Sequence, residues 1–203
     1  MRALFLSALL FIATPAFSPA WADIEVGKPA PDFTGTTSDG KTIKLSELKG
    51  QPVVLEWTNN ECPFVHKHYD SGNMQKLQQE ATADKVIWLS IISSAPGKQG
   101  NVDGPAANKL TADRNAHPTA VILDPTGEIG HLYNATTTPH MFVIDKNGIL
   151  VYAGGIDDKP TPVAASLEGA NNYVRAALGD LKAGKPVATS HSKPYGCGIK
   201  YAN

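Results

Sequence analysis

The chain has 203 residues, and its 42% hydrophobic content is enough for one domain with its own core. A formal charge of −1 with no basic cluster excludes an electrostatic binder of nucleic acid or of anionic membrane. Two cysteines, Cys62 and Cys197, are too few for a disulfide-stapled scaffold and point to pairing or redox work.

At the N-terminus, Arg2 precedes an apolar run from Ala3 to Ala13, and a small-residue stretch ends in Ala20-Trp21-Ala22. This is the plan of a secretory signal with cleavage after Ala22. The run falls short of the ~20 residues that span a bilayer. Residues 1–22 are therefore expected to be a signal peptide, residues 23–184 one domain, and residues 185–203 a tail carrying Cys197. The expected location is the periplasm or the exterior, with no stable membrane insertion after cleavage.

Runs over 32–37 and 42–45 flank Ser38-Asp39-Gly40, a hairpin signal, and 46–50 reads as one helical turn. The apolar run 52–58 predicts a buried central strand. A helix is predicted over 62–82, with Gly72 marking a kink. A strand at 86–92, a loop at 93–103, a helix at 105–115, a strand at 120–124 and a short helix at 128–133 follow. Apolar runs at 141–145 and 150–153 flank Asn147-Gly148, a second hairpin. A last helix is predicted over 168–183, and the Pro- and Gly-bearing tail reads as irregular. Alternating strands and helices followed by an antiparallel pair predict an α/β fold with a mixed central sheet flanked by helices.

Cys62 falls where the first βαβ strand ends, the edge at which open α/β sheets place their chemistry. Unpaired N–H groups and the positive end of the helix dipole favour a thiolate there. Pro63 suits the first helical turn. Glu61 is expected to raise the thiol pKa, and His66, one turn on, to lower it when protonated.

The segment from Val53 to Val65 resembles the strand and active-site loop of thioredoxins, with Cys62 on the first cysteine of their C-x-x-C motif. Gly27-Lys28-Pro29-Ala30-Pro31-Asp32-Phe33, Asp39-Gly40 and Leu45-Ser46-Glu47-Leu48-Lys49-Gly50 are similar to the N-terminal signature of the redoxin group. These are the alkyl hydroperoxide reductase/thiol-specific antioxidant relatives of thioredoxin. Thr138-Pro139, followed by Asn147-Gly148, resembles the cis-proline segment of that fold. The resemblance spans roughly residues 25–155. It implies a thioredoxin-like fold with an N-terminal β-hairpin extension. It also implies Pro139 as the cis-proline lining a groove for an extended substrate, and Glu56 as the buried acid that accepts a proton. A carboxyl in an apolar strand has a raised pKa, which suits that work. Trp57 reads as core.

Two departures bear on the chemistry. Position 65 is Val, so the second cysteine of C-x-x-C is absent, and Cys62 acts alone, with an external thiol, or with Cys197. A redox pair, a static bridge and two independent thiols all remain open; a bridge over so long a loop would contribute about 5 kcal/mol. Peroxiredoxins place Thr or Ser three residues before their cysteine, whereas this chain has Asn59. Past the signal, only Arg114 and Arg175 remain, both expected in helices away from the strand ends, so the peroxidase pattern is incomplete.

The reading is a thiol-dependent oxidoreductase acting on disulfides or peroxides through nucleophilic Cys62. Glu56 would move the proton, Pro139 would line the groove and Cys197 would resolve. Its expected partners are protein or small-molecule thiols, disulfides or hydroperoxides, and no cofactor is expected. A second reading is a non-enzymatic copper or zinc module using Cys62 with His66 or His140. Sco-type copper chaperones share the fold, although their C-x-x-x-C motif has a cysteine where this chain has His66.

Overall fold

All five side chains of β3 (Val53–Trp57) are buried, because strands pair with it on both edges and helices or turns cover both faces. The computed structural model describes residues 24–202, so the expected signal peptide lies outside the described residues. β3 runs parallel to β4 (Ile87–Ile92) and antiparallel to β7 (His140–Ile144). β4 runs parallel to β5 (Ala120–Leu123), and β7 pairs antiparallel with β8 (Leu150–Gly154). The hairpin of β1 (Thr34–Thr37) and β2 (Thr42–Lys44) turns at Gly40, whose φ of +82° suits glycine. β1 also pairs with β5, so the N-terminal extension is the outer edge of one seven-stranded mixed sheet, ordered β2-β1-β5-β4-β3-β7-β8.

Strand alternation divides the core. On one face Val54, Trp88, Met141, Val143 and Tyr152 pack under α1 (Pro63–Asp70), α2 (Asn73–Ala83) and α5 (Tyr173–Lys182). On the other, Val53, Leu55, Trp57, Leu89, Ile91 and Phe142 pack against Phe33, Leu45, Tyr133 and Ile129 of α4 (Glu128–Leu132). α3 (Gly104–Asp113) starts at Asp103, whose carboxylate accepts the Ala106 N–H, and adds Ala107 to a smaller cluster with Ile92 and Val121. Trp57 is core, with its indole N–H donated to Ser93.

Three expectations need correction. The helix predicted over 62–82 is two helices: Gly72 adopts a φ of +76°, and the chain breaks rather than kinks. The last helix begins at Tyr173, not near 168, because the Asn172 side chain caps it by accepting the Arg175 N–H. The tail is not wholly irregular. His191 bridges to Ala153, and β9 (Cys197–Gly198) pairs antiparallel with β6 (Thr137–Thr138). Neither β6 nor β9 carries an apolar period, since each is only two residues long. Among the described residues, no helix is long and apolar enough to cross a membrane.

Candidate active site

The loop after β3 is tied before it reaches Cys62. The Asn59 side-chain oxygen accepts the Glu61 N–H at 2.8 Å, and the Cys62 N–H donates to the Asn59 carbonyl at 3.1 Å. Cys62 is then the N-cap of α1 with Pro63 in the first turn, as the sequence implied. Its thiol donates to the Thr138 carbonyl at 3.1 Å, and its sulfur stands 2.6 Å from that of Cys197. No disulfide bond joins them.

The β6–β9 pairing brings Cys197 there, setting it opposite Thr138, and the Thr138–Pro139 peptide that follows is cis. Gly196 makes the close approach possible. Its φ is +137°, and a Cβ there would lie 2.0 Å from the Thr138 carbonyl oxygen. Although the sequence places Cys62 at the sheet edge where such folds do their chemistry, the residue is fully buried, with the half-buried Cys197 against it.

Burial pushes the Cys62 thiol up, but hydrogen bonds that favour its thiolate, from Cys197, the Thr138 side chain and the Val65 backbone N–H, outweigh it, leaving the thiol below its ordinary value. Burial also pushes Cys197 up, and its hydrogen bond to Cys62 pushes it further. The pair therefore ionises first at Cys62. The two charges expected to tune it are engaged elsewhere: Glu61 accepts the Gly100 N–H at 2.9 Å, and the His66 ring sits 3.1 Å from Asp70.

Glu56 lies fully buried on the face covered by α1 and α2. Four groups donate to its carboxylate: Tyr69 Oη at 2.8 Å, Gln78 Nε2 at 3.2 Å, Trp88 Nε1 at 2.7 Å and Ser90 Oγ at 2.9 Å. Desolvation still dominates and holds its pKa above the ordinary 4.5, while the four donors pull the other way. A carboxyl raised in this way binds more protons folded than unfolded. Stability therefore declines as pH rises from about 4.5 through the folded-state value. Glu56→Gln is expected to remove that decline in urea unfolding series; equal slopes in both proteins would contradict it.

A model of the AhpC/TSA family matches residues 26–153, more than half of the chain. The chain belongs to the AhpC/TSA family. The thioredoxin-like protein YneN of Bacillus subtilis is 27% identical over 135 residues, covering 66% of this chain and 74% of that protein. The thiol-disulfide oxidoreductase ResA of Bacillus cereus is 27% identical over 128 residues, covering 63% and 68%. A solved structure of an uncharacterized conserved protein from Geobacillus kaustophilus superposes with a TM-score of 0.74 at 27% identity. It covers 94% of this chain and 98% of that one. The family match ends before Cys197, whereas the superposition covers nearly all of the chain.

Within this AhpC/TSA protein, one expectation about arginine is overturned. Arg114 is not remote: it caps the end of α3, donates to the Asn60 carbonyl at 3.1 Å and lies 4.9 Å from the Tyr69 ring centre. Its distance in sequence from Cys62 hid this approach. Arg175 does lie away, paired with Glu80 at 2.8 Å. The Asn59 amide is engaged in the loop, donating to the Gln99 carbonyl at 3.3 Å. The ligands of the metal reading do not converge. His66 turns to Asp70, and His140 accepts the Thr136 N–H while packing on Phe142. Among the described residues, no set of three or more His, Cys, Asp or Glu side chains is placed to hold a metal ion.

Proposed function

We propose that this chain is an exported thiol–disulfide oxidoreductase in which Cys62 attacks and Cys197 resolves. The observation that carries the reading is the juxtaposition of two free sulfurs 2.6 Å apart at the start of α1, beside Pro139. In the reducing direction, the Cys62 thiolate attacks one sulfur of a substrate disulfide. The substrate S–S bond breaks, its other sulfur leaves and takes up a proton, and a mixed disulfide forms on Cys62. Cys197 then loses its proton and attacks the Cys62 sulfur. The second substrate thiol departs, leaving a Cys62–Cys197 disulfide. Two electrons have passed from the protein dithiol to the substrate, and an external thiol reductant restores the pair.

The order of attack follows from the lower pKa of Cys62 and the raised one of Cys197. Glu56 is the proposed acceptor of the Cys197 proton, because its carboxyl is held above the ordinary range on the face that α1 covers. The Thr138 carbonyl, in the cis peptide that precedes Pro139, meets the Cys62 sulfur, and Pro139 is the proposed groove residue beside it. Disulfides are favoured over peroxides as substrates, since Asn59 stands where peroxiredoxins use a hydroxyl and its amide is engaged in the loop. Export rests on the signal pattern of residues 1–22; protein or small-molecule disulfides outside the cytoplasm are the proposed partners.

The test is Cys197→Ser. On exposure to a model disulfide, this variant is expected to accumulate a mixed disulfide on Cys62, visible by mass spectrometry, at several times the wild-type level. An unchanged yield of adduct would remove Cys197 from the cycle.

A further inference from the structure

Beside the sulfur pair lies a buried charged cluster that disulfide exchange does not use. The side chains of Lys67 and His68, on α1 just past Cys62, are fully buried, as is Asp157 in the loop after β8. Lys67 Nζ donates to the Lys159 carbonyl at 2.6 Å and lies 3.6 Å from Asp157 Oδ2. The Tyr195 hydroxyl donates to Asp157 Oδ1 and lies 3.4 Å from Lys67 Nζ and 3.3 Å from His68 Nε2. The other nitrogen of that histidine, Nδ1, meets the Asn73 amide at 2.8 Å. The Tyr195 ring packs on Phe64, also of α1, with centroids 5.9 Å apart.

Burying an ammonium and a carboxylate is costly unless each is matched, so this cluster calls for an explanation. All of its charge converges on one residue of the tail, Tyr195, two positions before Cys197. β9 has only two ladder positions, too few to hold a strand on its own. Downstream, Tyr201 anchors the tail by donating to the Ala135 carbonyl at 2.8 Å. Upstream of Cys197, Tyr195 is the nearest residue whose side chain hydrogen-bonds to the helix that Cys62 caps, among the described residues.

We propose that the Tyr195 hydroxyl, held by Asp157 and the buried Lys67, is the latch that positions Cys197 over Cys62. Tyr195, Asp157 and Lys67 are then positioning residues: they touch neither sulfur but raise the effective concentration of one at the other. This inference rests on the proposed pairing of the two cysteines. The latch also accounts for the full burial of Cys62, since the anchored tail is its cover.

The experiment equilibrates wild type and Tyr195→Phe with glutathione buffers. In oxidation the two protein thiols give two electrons and two protons to glutathione disulfide, which leaves as two glutathione thiols. Tyr195→Phe keeps the ring packing and removes the hydroxyl. Its equilibrium constant for the Cys62–Cys197 bond is expected to fall about tenfold, the scale of losing a hydrogen bond to a charged group. Iodoacetamide should also alkylate Cys62 of the reduced variant several-fold faster than wild type. A merely structural role would lower the thermal midpoints of reduced and oxidised protein equally and leave the constant unchanged; Lys67→Met provides a second variant with the hydroxyl in place. Constants equal within twofold, with equal alkylation rates, would overturn the latch alone. A wild type that never forms the bond would overturn both the pairing and the latch.

Discussion

Cys62→Ser is expected to lower turnover of a disulfide substrate by at least about a thousandfold while leaving the fold intact. The sulfur is the only group at the head of α1 that combines a lowered pKa with contact to both Cys197 and Thr138 among the described residues. A serine hydroxyl there retains a donor to the Thr138 carbonyl but is no nucleophile at neutral pH. The structural cost should be small, because the change removes little volume from a site already bordered by polar atoms. Turnover with a low-molecular-weight disulfide, read by thiol release, checks the prediction together with circular dichroism. Retained activity in a folded variant would show that the reacting sulfur lies elsewhere.

Gly196→Ala is expected to separate the two cysteines without touching either. The alanine Cβ would stand 2.0 Å from the Thr138 carbonyl oxygen, a backbone atom that cannot rotate away. The φ of +137° is a conformation that residues with a Cβ rarely adopt. Strain of this kind costs about 1–3 kcal/mol, and the steric overlap adds to it, so β9 should lift from β6. The bond between Cys62 and Cys197 should then become about a hundredfold harder to form. Cys62, now uncovered, should react with iodoacetamide in the native state at a rate close to that of an exposed thiol of its pKa. The Glu56 network lies within the main sheet and its helices, remote in sequence from Gly196, and should keep its contribution to stability. The equilibrium constant with glutathione and the alkylation rate, measured on the same preparation, check both parts. A constant equal to that of wild type would show that β9 tolerates the methyl group and that the close approach does not matter.

Much of the fold was legible because its determinants are local. The apolar run of β3, the Asp-Gly and Asn-Gly turns and the β/α alternation each follow from short-range preferences. Cys62 was legible for the same reason: a cysteine followed by proline between a buried strand and a helix has one plausible environment. Glu56 was legible as a buried acid only through the resemblance of its strand to that of thioredoxins, since the apolar run alone does not fix which way a carboxylate faces. What was not legible depends on contacts between distant segments. β6 and β9 are too short to carry a period, and their pairing joins Thr138 to Cys197 across the segment that holds β7, β8 and α5. The burial of Cys62 is a consequence of that pairing and was therefore missed. Arg114 was misplaced for a related reason, since its guanidinium crosses from the end of α3 to the Asn60 carbonyl. One signal in the sequence did point toward the tail contact: Tyr195-Gly196-Cys197-Gly198 sets an aromatic anchor and two glycines around a cysteine.

The most direct measurement is a redox titration of the wild-type protein in glutathione buffers, quenched with acid and read by alkylation and mass spectrometry. Cys62 and Cys197 should lose reactivity together in one two-electron transition and reappear as a single linked peptide pair. Alkylation of the two cysteines independently at every buffer ratio, with no linked peptide, would contradict their action as one redox couple.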